Sequence, residues 1–267
     1  MMDTAKAVQK DMIKTNRKVL WSKFIKAIKD YRLIEDGDKV AVAVSGGKDS
    51  LLLAKMMQEL TKHPLADFEV VLIAMDPGYQ PYHIDLIKQN AQKLGIDLNI
   101  VKKDVFKVAQ KQAPNDPCFI CARVRRGVLY SIAESFGCNK LALGHHFDDV
   151  IETTLLNLFY AGTFKTMLPK VEAQNFDGLS LIRPLFYIKE NAIINLMKRH
   201  AIETIDCGCP LELEDKTSKR SEVKTLIKTL KQQHPGIDKS IFNATTNVNL
   251  DYVVGWEKNK TKYRFDD

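Results

Sequence analysis

The sequence predicts an α/β fold: a doubly wound, open, parallel sheet with added helices at the N- and C-termini. Two observations carry that expectation. Short apolar runs at Val40–Val44, Glu69–Met75 and Lys140–Leu143 have the length and composition of buried parallel strands. Each of the three ends in glycine or a polar cluster and gives way to a segment with helical periodicity. The chain has 267 residues, 45% hydrophobic and 27% charged, which is ordinary for a globular protein. That divides into a basic helical segment (1–36), an α/β domain (37–200) and a C-terminal cysteine-containing loop with helices (201–267).

The elements follow in order. Leu20, Phe24, Ala27, Ile28 and Tyr31 form one apolar stripe, and Lys14, Arg17, Lys18, Lys23, Lys26 and Lys29 crowd the other positions. This basic face is either solvated or a contact for a phosphate backbone. The turn-rich IEDGDK (34–39) leads into the first strand. Ser45-Gly46-Gly47 breaks that strand, and Leu51–Gln58 reads as the next helix. Strand, glycine turn and helix N-terminus together form an anion site, because backbone N–H groups and the helix dipole point at the turn. Ser45 and Ser50 bring hydroxyls and Lys48 a cation. A Walker loop would separate its glycines by four residues and follow them with Lys-Ser/Thr; here the glycines are adjacent and Asp49 intervenes. A carboxylate within a phosphate cradle is repulsive unless a divalent cation bridges the two, so Asp49 points to Mg²⁺.

Ala74 and Met75 close the second strand, where ligands of open α/β sheets bind. Ile84–Leu94 reads as a helix stopped by Gly95, Asp97–Val101 as a short strand and Asp104–Lys111 as a helical piece. Cys118 and Cys121 then stand at metal-gripping spacing ahead of a helix, where the dipole favours thiolate. Arg123, Arg125 and Arg126 follow as a solvated face or as contacts to phosphate or RNA. After Lys140–Leu143 comes Gly144-His145-His146-Phe147-Asp148-Asp149; Asp148 and Asp149 are placed to cap the next helix, but two histidines beside two carboxylates exceed what capping needs. Leu181–Leu185 reads as a last edge strand because of Pro184, and Glu190–His200 as a helix. Asp206–Pro210 (DCGCP) offers Cys207 and Cys209. Three thiolates with an open position would suit an iron–sulfur cluster, and four would suit structural zinc; spacing alone does not separate them. Cys138 reads as a buried thiol. A basic helix around Val223, Ile227 and Leu230 carries Lys219, Arg220 and Lys224; Ile237–Val248 follows, and 259–267 looks frayed.

Net charge is +7 and the sequence pI about 9.0, a balance that suits an anionic partner such as nucleic acid. No apolar run approaches the ~18 residues of a membrane span, and no signal core opens the chain, so the expectation is a cytoplasmic protein without membrane attachment. Five cysteines, an odd number, favour metal or thiol chemistry over a disulfide framework.

SGGKDS (45–50) resembles the pyrophosphate loop of the N-type ATP pyrophosphatases, whose fold is adenine nucleotide alpha hydrolase-like. GHHFDD followed by Glu152-Thr153 resembles that superfamily's second signature. The order SGGKDS, Cys118–Cys121 running into RVRRGVLY, GHHFDD, LIRPL and a late cysteine cluster is similar to the tRNA 2-thiocytidine synthetase family. The likeness runs from Leu33 to about Asn247. It implies that ATP adenylates O2 of a cytidine in tRNA, with sulfur then displacing AMP. It implies ATP at Ser45, Gly46, Gly47, Lys48, Asp49 and Ser50, with Gly144, His145 and Asp149 closing the pocket and the backbone near Ala74 and Met75 reading adenine. Asp49 and Asp149 would hold Mg²⁺. A [4Fe-4S] cluster would sit on Cys118, Cys121 and a third cysteine: Cys209 by counting back from Pro235-Gly236, or Cys207. The family has two residues between its late cysteines; this chain has one. Asp49, Cys118 and Cys121 would be the catalytic groups, and Arg123, Arg126, Lys219, Arg220 and Lys224 would meet tRNA. Partners would be tRNA and a sulfur donor, either a cysteine desulfurase or free sulfide, with a homodimer in keeping with such enzymes. Rival readings are a tRNA lysidine synthetase-like ligase, which has no need of the cysteines, a persulfide relay over structural zinc, and an ATP-binding redox sensor.

Overall fold

The computed structural model describes residues 2–103, 105, 117–205 and 218–266. The expected helical piece at 104–111 and the DCGCP stretch with Cys207 and Cys209 lie outside these residues.

Two compact units are present: residues 1–147 with 168–215, and residues 148–167 with 216–267. The first holds a six-stranded sheet. Its strands are β1 (Asp38–Ala43), β2 (Phe68–Asp76), β3 (Asn99–Lys102), β4 (Lys140–Ala142), β5 (Lys170–Glu172) and β6 (Ser180–Ile182), in the order β3-β2-β1-β4-β6-β5. All pairings are parallel except β5 with β6. The expected edge strand at Leu181–Leu185 is therefore an inner one that stops at Ile182. Antiparallel β5 covers it, returning through a turn at Gly178 with φ +73°. Three residues with two charges among them (Lys-Val-Glu) carry no strand signal of their own; pairing with β6 makes them a strand.

The helices are α1 (Met2–Lys10), α2 (Trp21–Asp30), α3 (Lys48–Leu60), α4 (Pro81–Leu94), α5 (Pro117–Ser135), α6 (Phe147–Tyr160), α7 (Glu190–Arg199), α8 (Lys219–Gln233) and α9 (Ile237–Ala244). On one side of the sheet, Ile132 and Ala133 of α5 pack with Ala41, Ile73, Met75, Leu141 and Cys138. Burial raises the Cys138 thiol pKa, which keeps it protonated and inert, as expected of a core cysteine. The other layer is built on α3, whose Leu51, Leu52, Leu53, Met56, Met57 and Leu60 are all buried; α4 and α7 pack against it. The N-terminal stripe is buried as expected at Leu20, Phe24, Ala27 and Ile28. Ahead of it, α1 runs into a π-helical turn, Asp11–Thr15. Asp11 is pinned there by Arg199 at 2.8 Å and His200 at 2.9 Å.

Ion pairs lock the amino end of the sheet. Lys140 Nζ meets Asp38 Oδ2 at 2.6 Å, and Asn139 bridges Asp38 Oδ1 and the Lys39 N–H. The opposite, carboxyl end is left to the glycine turns.

The second unit contains α6, α8, α9 and a hairpin of β7 (Gly255–Lys258) and β8 (Thr261–Arg264). The expected frayed tail is thus a formed ladder, and the helix expected over 237–248 stops at Ala244. Among the described residues no helix is long and apolar enough to cross a membrane.

Candidate functional site

The glycine turn after β1 is held in shape by Ser50. Its hydroxyl donates to the Gly47 carbonyl at 2.9 Å and accepts from the Ser45 N–H at 3.1 Å. The Ser45 hydroxyl donates to Ser50 Oγ at 3.2 Å, so both serine hydroxyls shape the turn. Gly46 has φ +85°, and a Cβ there would come within 2.7 Å of Ile87 Cγ1 and 2.8 Å of Ile205 Cδ1. Only glycine meets both demands. Gly47 is the N-cap of α3, and no side chain caps that helix. The first N–H groups of α3, the positive dipole end and Lys48 therefore converge on one cradle, a combination that fits the phosphates of a nucleotide.

Lys48 Nζ lies 3.2 Å from Asp49 Oδ2 and 3.2 Å from Glu190 Oε1. Burial lowers its pKa, but the two carboxylates outweigh that and leave the ammonium above the usual lysine value. Glu190, at the start of α7, is a site residue that the sequence reading missed. A helix-opening glutamate reads as a dipole partner, and nothing local links it to Lys48.

The turn after β4 abuts this cradle backbone to backbone. A Cβ on Gly144 would sit 3.0 Å from Asp49 C and from Ser50 N, so the glycine lets the two signature stretches touch. His146 is buried, and its Nε2 stands 3.7 Å from Asp49 Oδ1. The Nδ1 of His145 is likewise buried.

At β2 the geometry separates Ala74 from Met75. The β1 ladder ends at Ala43 opposite Ile73, with Val44 N–H donating to Ile73 O at 2.8 Å. The β3 ladder continues to Asp76. Successive residues of a strand turn their backbone groups to opposite sides. Ile73 faces β1, so Met75 does too, beyond the end of β1 and on the side of the glycine turn. Both side chains are core, which leaves the backbone of Met75 as the group that faces the glycine turn.

Asp149 lies in the first turn of α6, within the second unit. There Arg220 Nη1 lies 3.0 Å from Asp149 Oδ1 and 3.5 Å from Glu152 Oε2. Arg220, expected on RNA, thus pairs with the carboxylate expected on Mg²⁺. Lys219 stacks its ammonium 5.1 Å over the Tyr160 ring; Lys224 and Arg126 are exposed. Among the described residues, no three His, Cys, Asp or Glu side chains gather around a metal site. Mg²⁺ with few protein ligands and several phosphate oxygens needs no such cage.

Cys118 and Cys121 are three residues apart in the first turn of α5. The far end of α5 lies at the amino end of the sheet, where Asn139 N–H donates to Lys39 O at 3.0 Å. Nineteen residues of helix span about 28 Å, which puts the first turn at the carboxyl end of the strands, with the glycine turn. Arg125 agrees: its guanidinium bonds the hydroxyl of Tyr79, just past β2. The chain leading to Cys207 and Cys209 also starts there. Ile205 N–H donates to Gly46 O at 3.2 Å, and two residues back Asn90 Nδ2 holds Glu203 O at 2.6 Å. A thiolate set drawn from Cys118, Cys121 and the late pair is the donor chemistry of an iron–sulfur cluster.

This parallel sheet, with an uncapped glycine turn at its carboxyl end, defines a nucleotide-binding α/β protein of the PP-loop class. Residues 16–206 match the PP-loop domain family. A tRNA-cytidine(32) 2-sulfurtransferase of Geotalea uraniireducens is 41% identical over 86% of this chain and 91% of its own length. One of Citrifermentans bemidjiense is 41% identical over 86% and 90%. The U34-tRNA thiolase NcsA from Methanococcus maripaludis, solved with its [4Fe-4S] cluster, superposes with TM-score 0.67. It is 26% identical and covers 84% of this chain and 76% of its own. The chain belongs to the tRNA-cytidine(32) 2-sulfurtransferase family of PP-loop proteins.

Proposed function

We propose that this chain is an ATP-dependent tRNA thiolase that replaces O2 of cytidine 32 with sulfur, releasing AMP and pyrophosphate. The observation that supports the reading is the bond from Ile205 to Gly46: Ile205, two residues before Cys207 in sequence, is held against the glycine turn. Activation and sulfur delivery must meet on one base, and a cysteine segment that follows Ile205 is in keeping with that need.

The α3 N–H groups and Lys48 hold the β- and γ-phosphates, the part that leaves as pyrophosphate. Asp49 would hold a Mg²⁺, which would offset the negative charge gathered at the turn, and the Met75 backbone reads the adenine edge. The cytosine O2 attacks the α-phosphorus, so the P–O bond to pyrophosphate breaks and O2 becomes part of an AMP leaving group. A sulfur nucleophile then adds at C2, and AMP departs with the original oxygen. When bound on Cys118, Cys121 and Cys209 or Cys207, a [4Fe-4S] cluster supplies that soft nucleophile. A cysteine desulfurase or free sulfide renews the sulfur, the setting is the cytoplasm, and a homodimer is compatible with this chemistry.

Mass spectrometry of tRNA nucleosides tests the reading. Incubation of anaerobically purified protein with tRNA, ATP and sulfide is expected to yield 2-thiocytidine with AMP in equal amount. Lysine joined to cytidine would instead indicate the ligase, and ATP binding without pyrophosphate release the sensor.

A further inference from the structure

The hairpin at the end of the chain answers to nothing in the ATP site. Its two faces follow from the register: Trp256 lies opposite Tyr263, and Lys258 opposite Thr261. Residues paired across an antiparallel ladder share a face, so Trp256, Tyr263 and Lys258 stand together. The two rings are stacked, 5.5 Å between centroids and 10° between planes. Phe265 extends the strip, bonded to Val254 by its N–H at 3.1 Å. Val254 is 83% exposed and Phe265 67%. A two-stranded ribbon that leaves such a strip in water is marginal by itself. Its charges then select the partner: Lys258 shares the aromatic face and Lys260 stands at the tip, while on the other face Lys262 lies opposite Glu257 and Arg264 pairs with Asp266 at 3.1 Å.

The turn adds an independent observation. Asn259 and Lys260 have φ of +53° and +66°, the left-handed pair of a two-residue hairpin turn that favours Asn-Gly. Lysine at the second position costs backbone energy that glycine would spare. The chain accepts that cost and gains an ammonium at the tip of the ribbon.

We infer that this hairpin is an RNA-docking element: the Trp256–Tyr263 strip stacks on unpaired bases, and Lys258 on the same face and Lys260 at the tip meet the adjacent phosphates. Stacked aromatics interleaved with cations are the chemistry of single-stranded nucleic-acid platforms, and an acidic or purely apolar protein partner would leave one half of that chemistry unused. The inference rests on the tRNA reading above and names the surface that grips the substrate.

The turn also makes the test separable. Lys260→Gly relieves the backbone while removing the charge, so it keeps or strengthens the hairpin. We expect it to weaken tRNA binding by the full-length protein about threefold and to lower the slope of log K against log salt by roughly 0.7 to 0.9. Trp256→Ala is expected to weaken binding about tenfold or more. Trp21 is buried, so the change in tryptophan emission on adding tRNA reports Trp256, and quenching is expected. Unchanged affinity and salt slope in Lys260→Gly, with no emission change in the parent, would overturn the inference. So would a shift from dimer to monomer in Trp256→Ala with tRNA binding intact, since a second copy would then cover the strip. If the parent protein binds no tRNA at all, the proposed function fails first; if it thiolates tRNA and the variants bind equally well, only the hairpin assignment fails.

Discussion

Single atoms decide the phosphate site. Gly144 exists as glycine because a methyl group would sit 3.0 Å from the Asp49 carbonyl carbon and the Ser50 nitrogen, both backbone atoms that cannot rotate aside. Gly144→Ala is expected to push the phosphate turn out of register and lower tRNA-dependent pyrophosphate release at least tenfold. Circular dichroism should show the sheet intact, because the strain is confined to two turns. Lys48→Ala removes the charge that Asp49 and Glu190 hold in place; we expect the KM for ATP to rise tenfold or more, read by pyrophosphate release, with little change in melting temperature. At this scale the sequence was informative where chemistry is local. Ser45–Ser50 announced an anion cradle from residue types alone, and Gly144 announced a turn. Glu190 and Ile205 were invisible, because each reaches the site from more than 140 residues away and neither has an unusual neighbour.

Helix α3 shows what an element contributes. It starts as a phosphate cradle and ends as a structural post, with Glu59 fully buried between Lys55 and Lys62, both at 2.9 Å, and Gln9 donating at 2.7 Å. Burial alone would raise the Glu59 carboxyl pKa, but its bonds to Lys55 and Lys62 outweigh that and hold it below its ordinary value of 4.5. Asp11 behaves alike: burial pushes it up, and Asn16, Arg199 and His200 pull it below 3.8. Because both folded values are depressed, the stabilisation is complete above about pH 4.5 and is lost as pH falls through them. Thermal melts from pH 7 downward should hold level to near pH 5 and drop below it. Glu59→Ala leaves the buried Lys55 ammonium without its carboxylate, with only the Gln58 Oε1 bond at 2.9 Å, and should cost about 3–5 kcal/mol in urea unfolding. The strands β1, β2 and β4 and the helices α3, α4 and α7 were legible because hydrophobic period and glycine stops mark them. β5 was not, since three residues gain strand character only by pairing with β6. The terminal hairpin was missed because Asn259-Lys260 lacks the glycine that signals such a turn.

Across the whole molecule, three distant stretches meet the carboxyl end of one sheet: the glycine turn at 45–50, the start of α5 with Cys118 and Cys121, and the chain at Ile205 that leads to the late cysteines. Parallel topology explains the first two, because every crossover helix begins where a strand ends. The third depends on Asn90 of α4, which holds Glu203, and on Gly46, which holds Ile205, a long-range arrangement that no local pattern encodes. The central claim is that nucleotide activation and cysteine-borne sulfur serve one reaction. Its most direct measurement is anaerobic assay of Cys118→Ala beside the parent protein, following 2-thiocytidine in tRNA by mass spectrometry, ATP binding by calorimetry and iron by absorbance. The account predicts a brown parent that thiolates tRNA and a variant that still binds ATP but forms no 2-thiocytidine. A Cys118→Ala protein that thiolates tRNA at the parental rate, or an iron-free parent that does so, would contradict it.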